Sequence, residues 1–172
     1  MSDLHFSLMS LCFKMRDLFS PPEKLLKEAG IKPGSHVLDY GCGPGSYSLA
    51  VARLVGRQGK VYALDLHPRA IESVQAKATK KGLSNIETIH SNCATGLENS
   101  SVDVALMFDI YHELENPDEI MKELHRVMKP NAVLLFSDHH LKKQDIPSKI
   151  TRNGLFGLQK KMKKIYIFSK EA

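Results

Sequence analysis

His36-Val37-Leu38-Asp39-Tyr40-Gly41-Cys42-Gly43-Pro44-Gly45 decides the fold, together with the helical spacing of Leu49, Ala52 and Val55 that follows it. An apolar run ends in an acid, three glycines alternate with other residues, and a helix begins at Ser46. This is a strand, a tight loop and a helix. A backbone without Cβ atoms turns sharply and lets a ligand come close. Open α/β sheets bind ligands outside the carboxyl ends of their strands, which is where this loop falls.

The glycines alone do not discriminate, since an ordinary tight turn uses the same residues. Asp65 does. It ends a second strand, Val61-Tyr62-Ala63-Leu64-Asp65, about twenty residues on, where an acid can accept both hydroxyls of a ribose. A dinucleotide fingerprint reads Gly-x-Gly-x-x-Gly, with the helix start facing a pyrophosphate. Here the third glycine is Gly45, and Ser46 stands where that fingerprint has glycine. Asp39, directly before the loop, suits an ammonium group better than a pyrophosphate. A nicotinamide- or flavin-dependent oxidoreductase is therefore disfavoured.

Outward from the loop, strands and helices alternate, the signature of a parallel sheet covered by helices. Residues 1–20 are compatible with a short helix. Pro21-Pro22 opens a clearer one, with Leu25, Leu26 and Ala29 inward. Beyond Asp65, Pro68 suits a first helical turn, and Ile71, Val74 and Ala78 recur at helical spacing. Ile86 to His90 and Val102 to Phe108 are the third and fourth strands. Asn116-Pro117-Asp118-Glu119 provides a cap, a proline and two acids for a helix whose buried stripe is Ile120, Leu124, Val127 and Met128, ended by Pro130. Ala132 to Ser137 is the fifth strand. A short helix is expected within Leu141 to Arg152. Leu155 to Gln159 and Ile165 to Ser169 form an antiparallel edge hairpin around the lysines at 160, 161, 163 and 164, read as a solvated tip rather than a phosphate-binding patch.

The 172 residues suit one domain, with 42% hydrophobic and 25% charged residues and a formal net charge of +5. That mild basicity does not demand nucleic acid. Three cysteines, Cys12, Cys42 and Cys93, give neither a disulfide framework nor a zinc knuckle, so no metal is expected and a cytoplasmic setting is the simplest. No signal peptide or membrane span is visible.

At this point the chain resembles the class I, Rossmann-like S-adenosylmethionine-dependent methyltransferases of small-molecule type. Val37 to Gly45 looks like their first motif and Val61 to Asp65 their second. Ser101 to Leu106 with Tyr111-His112-Glu113-Leu114 resembles their fourth-strand segment, and Arg126 to Ala132 their turn into the fifth strand. The resemblance implies a doubly wound, mostly parallel seven-stranded α/β sheet of order 3-2-1-4-5-7-6, with helices on both faces and a C-terminal antiparallel hairpin. It implies one methyltransferase domain over 1–172: a helical segment at 1–30, a cofactor-binding core at 31–138, and a short helix and hairpin at 139–172.

By the same resemblance, Asp39 with Gly41, Cys42, Gly43 and Gly45 would hold the methionine part of S-adenosyl-L-methionine. Asp65 would take the ribose, Leu66 would lie against the adenine, and Phe108 would line the methionine side. The family's Gly-Asp-Ala after the third strand is Ser91-Asn92-Cys93 here, so Asn92 would accept from the adenine amino group without a charge, and Cys93 beside it would belong to the same cofactor-binding set. The thiols lack the spacing of arsenic methylation. No sequence like Asn-Pro-Pro-Tyr follows the fourth strand, which argues against a nucleic-acid amino methylase. The expected partner is a small-molecule methyl acceptor, with no membrane and no oligomeric state specified. A non-catalytic cofactor-binding subunit is the main alternative.

No catalytic residue is forced by a transfer whose leaving group is already activated. His112 and His139 are the candidates, each also readable as a packing or pocket-shaping residue. Adjacent histidines such as His139 and His140, pointing apart, do not make a metal pair.

Overall fold

The structure, a computed structural model, describes residues 22–163 and 165–172. The short helix expected over 1–20, Cys12 and Lys164 lie outside the described residues. In chain order the elements are α1 (Pro22–Glu28), β1 (His36–Tyr40), α2 (Ser46–Val55), β2 (Lys60–Asp65), α3 (Pro68–Lys80), β3 (Ile86–His90) and β4 (Val102–Phe108). A 3₁₀ turn (Tyr111–Glu113), α4 (Pro117–Val127), β5 (Met128–Ser137), α5 (Ile146–Thr151), β6 (Phe156–Lys161) and β7 (Tyr166–Lys170) follow. The strands make one seven-stranded sheet of order β3-β2-β1-β4-β5-β7-β6, the order the resemblance implies. The chain divides between Asn92 and Cys93 into two compact units.

In the first unit β1, β2 and β3 run parallel, with Asp39 opposite Ala63 and Asp65 opposite His90. Val37 through Tyr40 are all buried, as a strand covered on both faces requires. Helix α3 starts at Pro68, where a missing N–H costs nothing, and His67 caps it by accepting from the Arg69 N–H at 3.3 Å. Its buried stripe is Ala70, Val74 and Ala78. The expected Ile71 is only half-buried, because the helix turns its Ala70 edge inward.

In the second unit β4 and β5 are parallel, and β7 runs antiparallel between β5 and β6. The hairpin occupies the expected place, shifted by one or two residues. Strand β5 starts at Met128 instead of Ala132. Met128 is buried, but as the first strand residue and not as part of the helix stripe, since α4 ends at Val127 before Pro130 is reached. The register between β4 and β5 is irregular from Val102 to Val104, which absorbs Lys129 to Asn131.

Asn116 sits at the N-cap of α4, but its side chain makes no capping hydrogen bond. Pro117 itself has no N–H, so the first turn has one unpaired donor fewer. Asp118 is turned outward to Arg152 and Asn153. The segment after β3 is pinned to α4 by Glu123, which accepts from the Thr95 N–H and hydroxyl at 2.8 and 2.7 Å and from the Arg126 guanidinium. Arg126 holds the Glu123 carboxyl down at about 2, ahead of a smaller opposing effect of burial. Among the described residues no helix is long and apolar enough to cross a membrane.

Candidate functional site

The loop after β1 is tied down at every turn. The Gly41 and Cys42 N–H groups donate to the Leu64 carbonyl of β2 at 2.8 and 2.9 Å, and Gly45 N–H donates to the Cys42 carbonyl at 3.0 Å. The Pro44 carbonyl accepts from Ser73 Oγ at 3.3 Å and Lys77 Nζ at 2.5 Å, both from α3. Gly41, Gly43 and Gly45 have φ of 75, 51 and 89°, the left-handed region that favours glycine. A Cβ on Gly43 would meet nothing within 4 Å, so the loop presents open space there.

Asp65 organises this loop. Its Oδ2 accepts from the Gly43 N–H and its Oδ1 from the His67 N–H, both at 2.8 Å. A carboxylate offers about four acceptor positions, so two remain for hydroxyl donors. The next residue, Leu66, is 66% exposed, unusual for a large apolar side chain. Its carbonyl is anchored by His90 Nε2 at 2.8 Å. A fixed acceptor beside an uncovered apolar side chain can take hydroxyl donors on one side and a flat apolar ring on the other. Asn92 is exposed, and its backbone carbonyl accepts from the Tyr40 hydroxyl at 2.8 Å.

Asp39 is buried and accepts a hydrogen bond from Ser48 Oγ, one turn into α2, at 2.5 Å. Burial pushes its carboxyl up to about 6, opposed by the Ser48 bond and reinforced by the charge of Asp65. A buried carboxylate held that high is poised for a cation. Cys42 contributes backbone to the loop, while its side chain packs with Ala63 and Val74 in the core.

In the second unit Phe108 is buried at the end of β4. Cys93 is half-buried, and burial raises its thiol, with Glu123 and Glu119 adding to the effect. Just past β4 and β5, His112 and Asp138 are joined by a 2.9 Å contact from Nδ1 to Oδ2, and His139 and Asp109 by one of 2.8 Å from Nδ1 to Oδ1. Asp109 has φ of 54°, strained for a non-glycine residue, and its N–H donates to the Ser137 carbonyl at 2.8 Å. The rings of His139 and His140 do not point apart as expected. Their centroids lie 4.0 Å apart, because both residues sit in a turn where strand alternation does not hold. Among the described residues no group of histidine, cysteine or acids has an arrangement that could hold a metal.

A family model described as Methyltransferase domain matches residues 31–168. The chain is 26% identical over 130 residues to a demethylmenaquinone methyltransferase of Geobacillus stearothermophilus, covering 75% of this chain and 56% of that one. It is 32% identical over 120 residues to a 2-phytyl-1,4-naphtoquinone methyltransferase of Nostoc sp., covering 69% and 52%. The crystal structure of a SAM dependent methyltransferase from Aquifex aeolicus is similar with a TM-score of 0.82 and 28% identity, over 93% of this chain and 97% of that one. The chain spans about half the length of the curated relatives it matches.

Proposed function

Because the chain belongs to the methyltransferase-domain family, we propose that it moves a methyl group from S-adenosyl-L-methionine to a small organic acceptor. The observation that carries this reading is the Asp65 carboxylate, fixed by the Gly43 and His67 N–H groups beside the exposed Leu66. In this reading Asp65 holds the ribose and Leu66 covers one face of the adenine. Asn92 borders the adenine. Gly41, Gly43 and Gly45 give the backbone its approach, and Asp39 balances the ammonium. The names of the quinone methyltransferases support an apolar cyclic acceptor.

When bound, the cofactor supplies a methyl group on a positively charged sulfur and leaves as a neutral thioether. The chain's part is to orient donor and acceptor and to exclude water; orientation alone is worth up to about 7–11 kcal/mol of barrier. Calorimetric titration tests the reading. S-adenosylhomocysteine is expected to bind with micromolar or better affinity and NADH not at all. Absence of heat with both S-adenosyl-L-methionine and S-adenosylhomocysteine would refute it.

Asp39 gives a sharper test, because its effects on stability and binding have opposite signs. Burial pushes its folded carboxyl up to about 6, from an ordinary value of 3.8. The folded protein therefore holds a proton that the unfolded chain has released between roughly pH 4 and 6, and stability falls as pH rises through that window. Ionised Asp39 costs about 3 kcal/mol above it. Asp39→Asn is expected to raise the melting temperature at pH 8, with the gain vanishing toward pH 4, and to weaken S-adenosylhomocysteine binding. Wild-type affinity should drop about tenfold from pH 7 to pH 5, while the variant's stays level. Thermal melts and calorimetry across that range check both.

A further inference from the structure

The ends of β4 and β5 carry an arrangement that holding the cofactor does not explain. The Asp138 side chain is fully buried, yet it is a carboxylate. It accepts three hydrogen bonds: Oδ2 from the His112 N–H at 3.0 Å and His112 Nδ1 at 2.9 Å, and Oδ1 from the His140 N–H at 3.0 Å. Burial pushes its carboxyl up, but these donors outweigh burial and hold it below its ordinary value. An ionised carboxylate only accepts, so the proton of the His112 ring sits on Nδ1. In the neutral imidazole Nε2 then keeps its lone pair.

The surroundings of His112 leave that nitrogen usable. The ring is 22% exposed. It lies against His140 at a centroid distance of 4.0 Å, and His140 in turn lies against His139 at the same distance. His139 is held by Asp109. Glu113 is a charged neighbour, with its Oε1 3.7 Å from Nε2 on a largely exposed side chain. A ring that only fills space needs no buried carboxylate, and burying one costs several kcal/mol before its hydrogen bonds repay it. Fixing one tautomer of a partly exposed imidazole is what a proton acceptor requires.

We propose that His112 Nε2 takes the proton of a hydroxyl on the methyl acceptor, so that the acceptors are compounds with an acidic O–H of phenol or enol type. Asp138 is then the positioning residue. This rests on the methyl-transfer reading. The O–H bond breaks and its proton passes to Nε2. The freed oxygen electron pair forms the bond to the methyl carbon while the carbon–sulfur pair stays on sulfur. The imidazolium returns the proton to solvent, which leaves the charges balanced.

The test uses the full chain, labelled S-adenosylmethionine and two bicyclic probes. In 1,4-dihydroxynaphthalene the attacking oxygen must lose a proton; in quinoline the nitrogen has none to lose. Transfer to the first and not the second is expected. His112→Gln should lower kcat on it by about 10²–10⁴-fold with unchanged S-adenosylhomocysteine affinity and melting temperature. Ring ¹⁵N shifts should place the His112 proton on Nδ1 in wild type and move it toward Nε2 in Asp138→Asn, which should also alter the pH profile of kcat. The proposal is overturned by wild-type kcat in His112→Gln, by the proton on Nε2 in wild type, by transfer to quinoline alone, or by cofactor binding without transfer to either probe. Failure to bind S-adenosylhomocysteine would instead overturn methyl transfer itself.

Discussion

Asp65→Ala is expected to weaken S-adenosylhomocysteine binding by at least 100-fold while the protein still folds. Two sets of interactions meet at this carboxylate. Its hydrogen bonds to Gly43 and His67 hold the loop, and their loss costs about 1–3 kcal/mol of stability, since water can reach the half-buried donors left behind. Its free acceptor positions are assigned to the ribose hydroxyls. Hydrogen bonds to a charged group contribute about 1.5–3 kcal/mol each, so two of them amount to 10²-fold or more in affinity. Calorimetry paired with a thermal melt separates the two effects. Unchanged affinity would refute the ribose role.

Gly45→Ala is expected to fail in the other order, losing stability first and binding as a consequence. A Cβ there would come 2.8 Å from Val74 Cγ2 and 3.6 Å from Val74 Cα, and Val74 is fully buried on α3. Residue 45 also holds φ of 89°. Strain at the backbone and overpacking in the core together cost about 2–4 kcal/mol. Gly43→Ala is the control. It shares the left-handed backbone but meets open space, so its stability loss should be about 1 kcal/mol. Chemical denaturation of the two variants checks the order, and equal losses would show that contact with Val74 does not explain Gly45.

The first unit of the fold was legible because its signals are local. A strand that ends in an acid, a glycine loop and a helix are contiguous, and Asp65 closes the next strand. The elements α2, β3 and β4 fall where the apolar pattern puts them. What was not legible depends on pairing between distant segments. Phe108 pairs with Ser137, and this register brings Asp109 toward His139 and His112 toward Asp138, 30 and 26 residues apart. Read singly, His112 is a lone histidine at a turn, and only the buried acid behind it changes its meaning. Ser48 was overlooked for a similar reason, since a serine within a helix gives no sign that it faces a carboxylate on the preceding strand. The start of β5 was misplaced because Pro130 argues against a strand that its irregular register in fact tolerates.

Cys42 has one more consequence. In the methyl-transfer reading proposed above, this loop holds an alkylating agent next to its own cysteine and risks becoming its substrate, because a thiolate is a far better nucleophile than most acceptors. The loop avoids this by turning the sulfur into the apolar space beside Ala63 and Val74. Burial there, and then the charges of Asp39 and Asp65, push the thiol well above its ordinary range, so it stays protonated. The glycine loop can thus carry a cysteine at its centre without inactivating itself by self-alkylation.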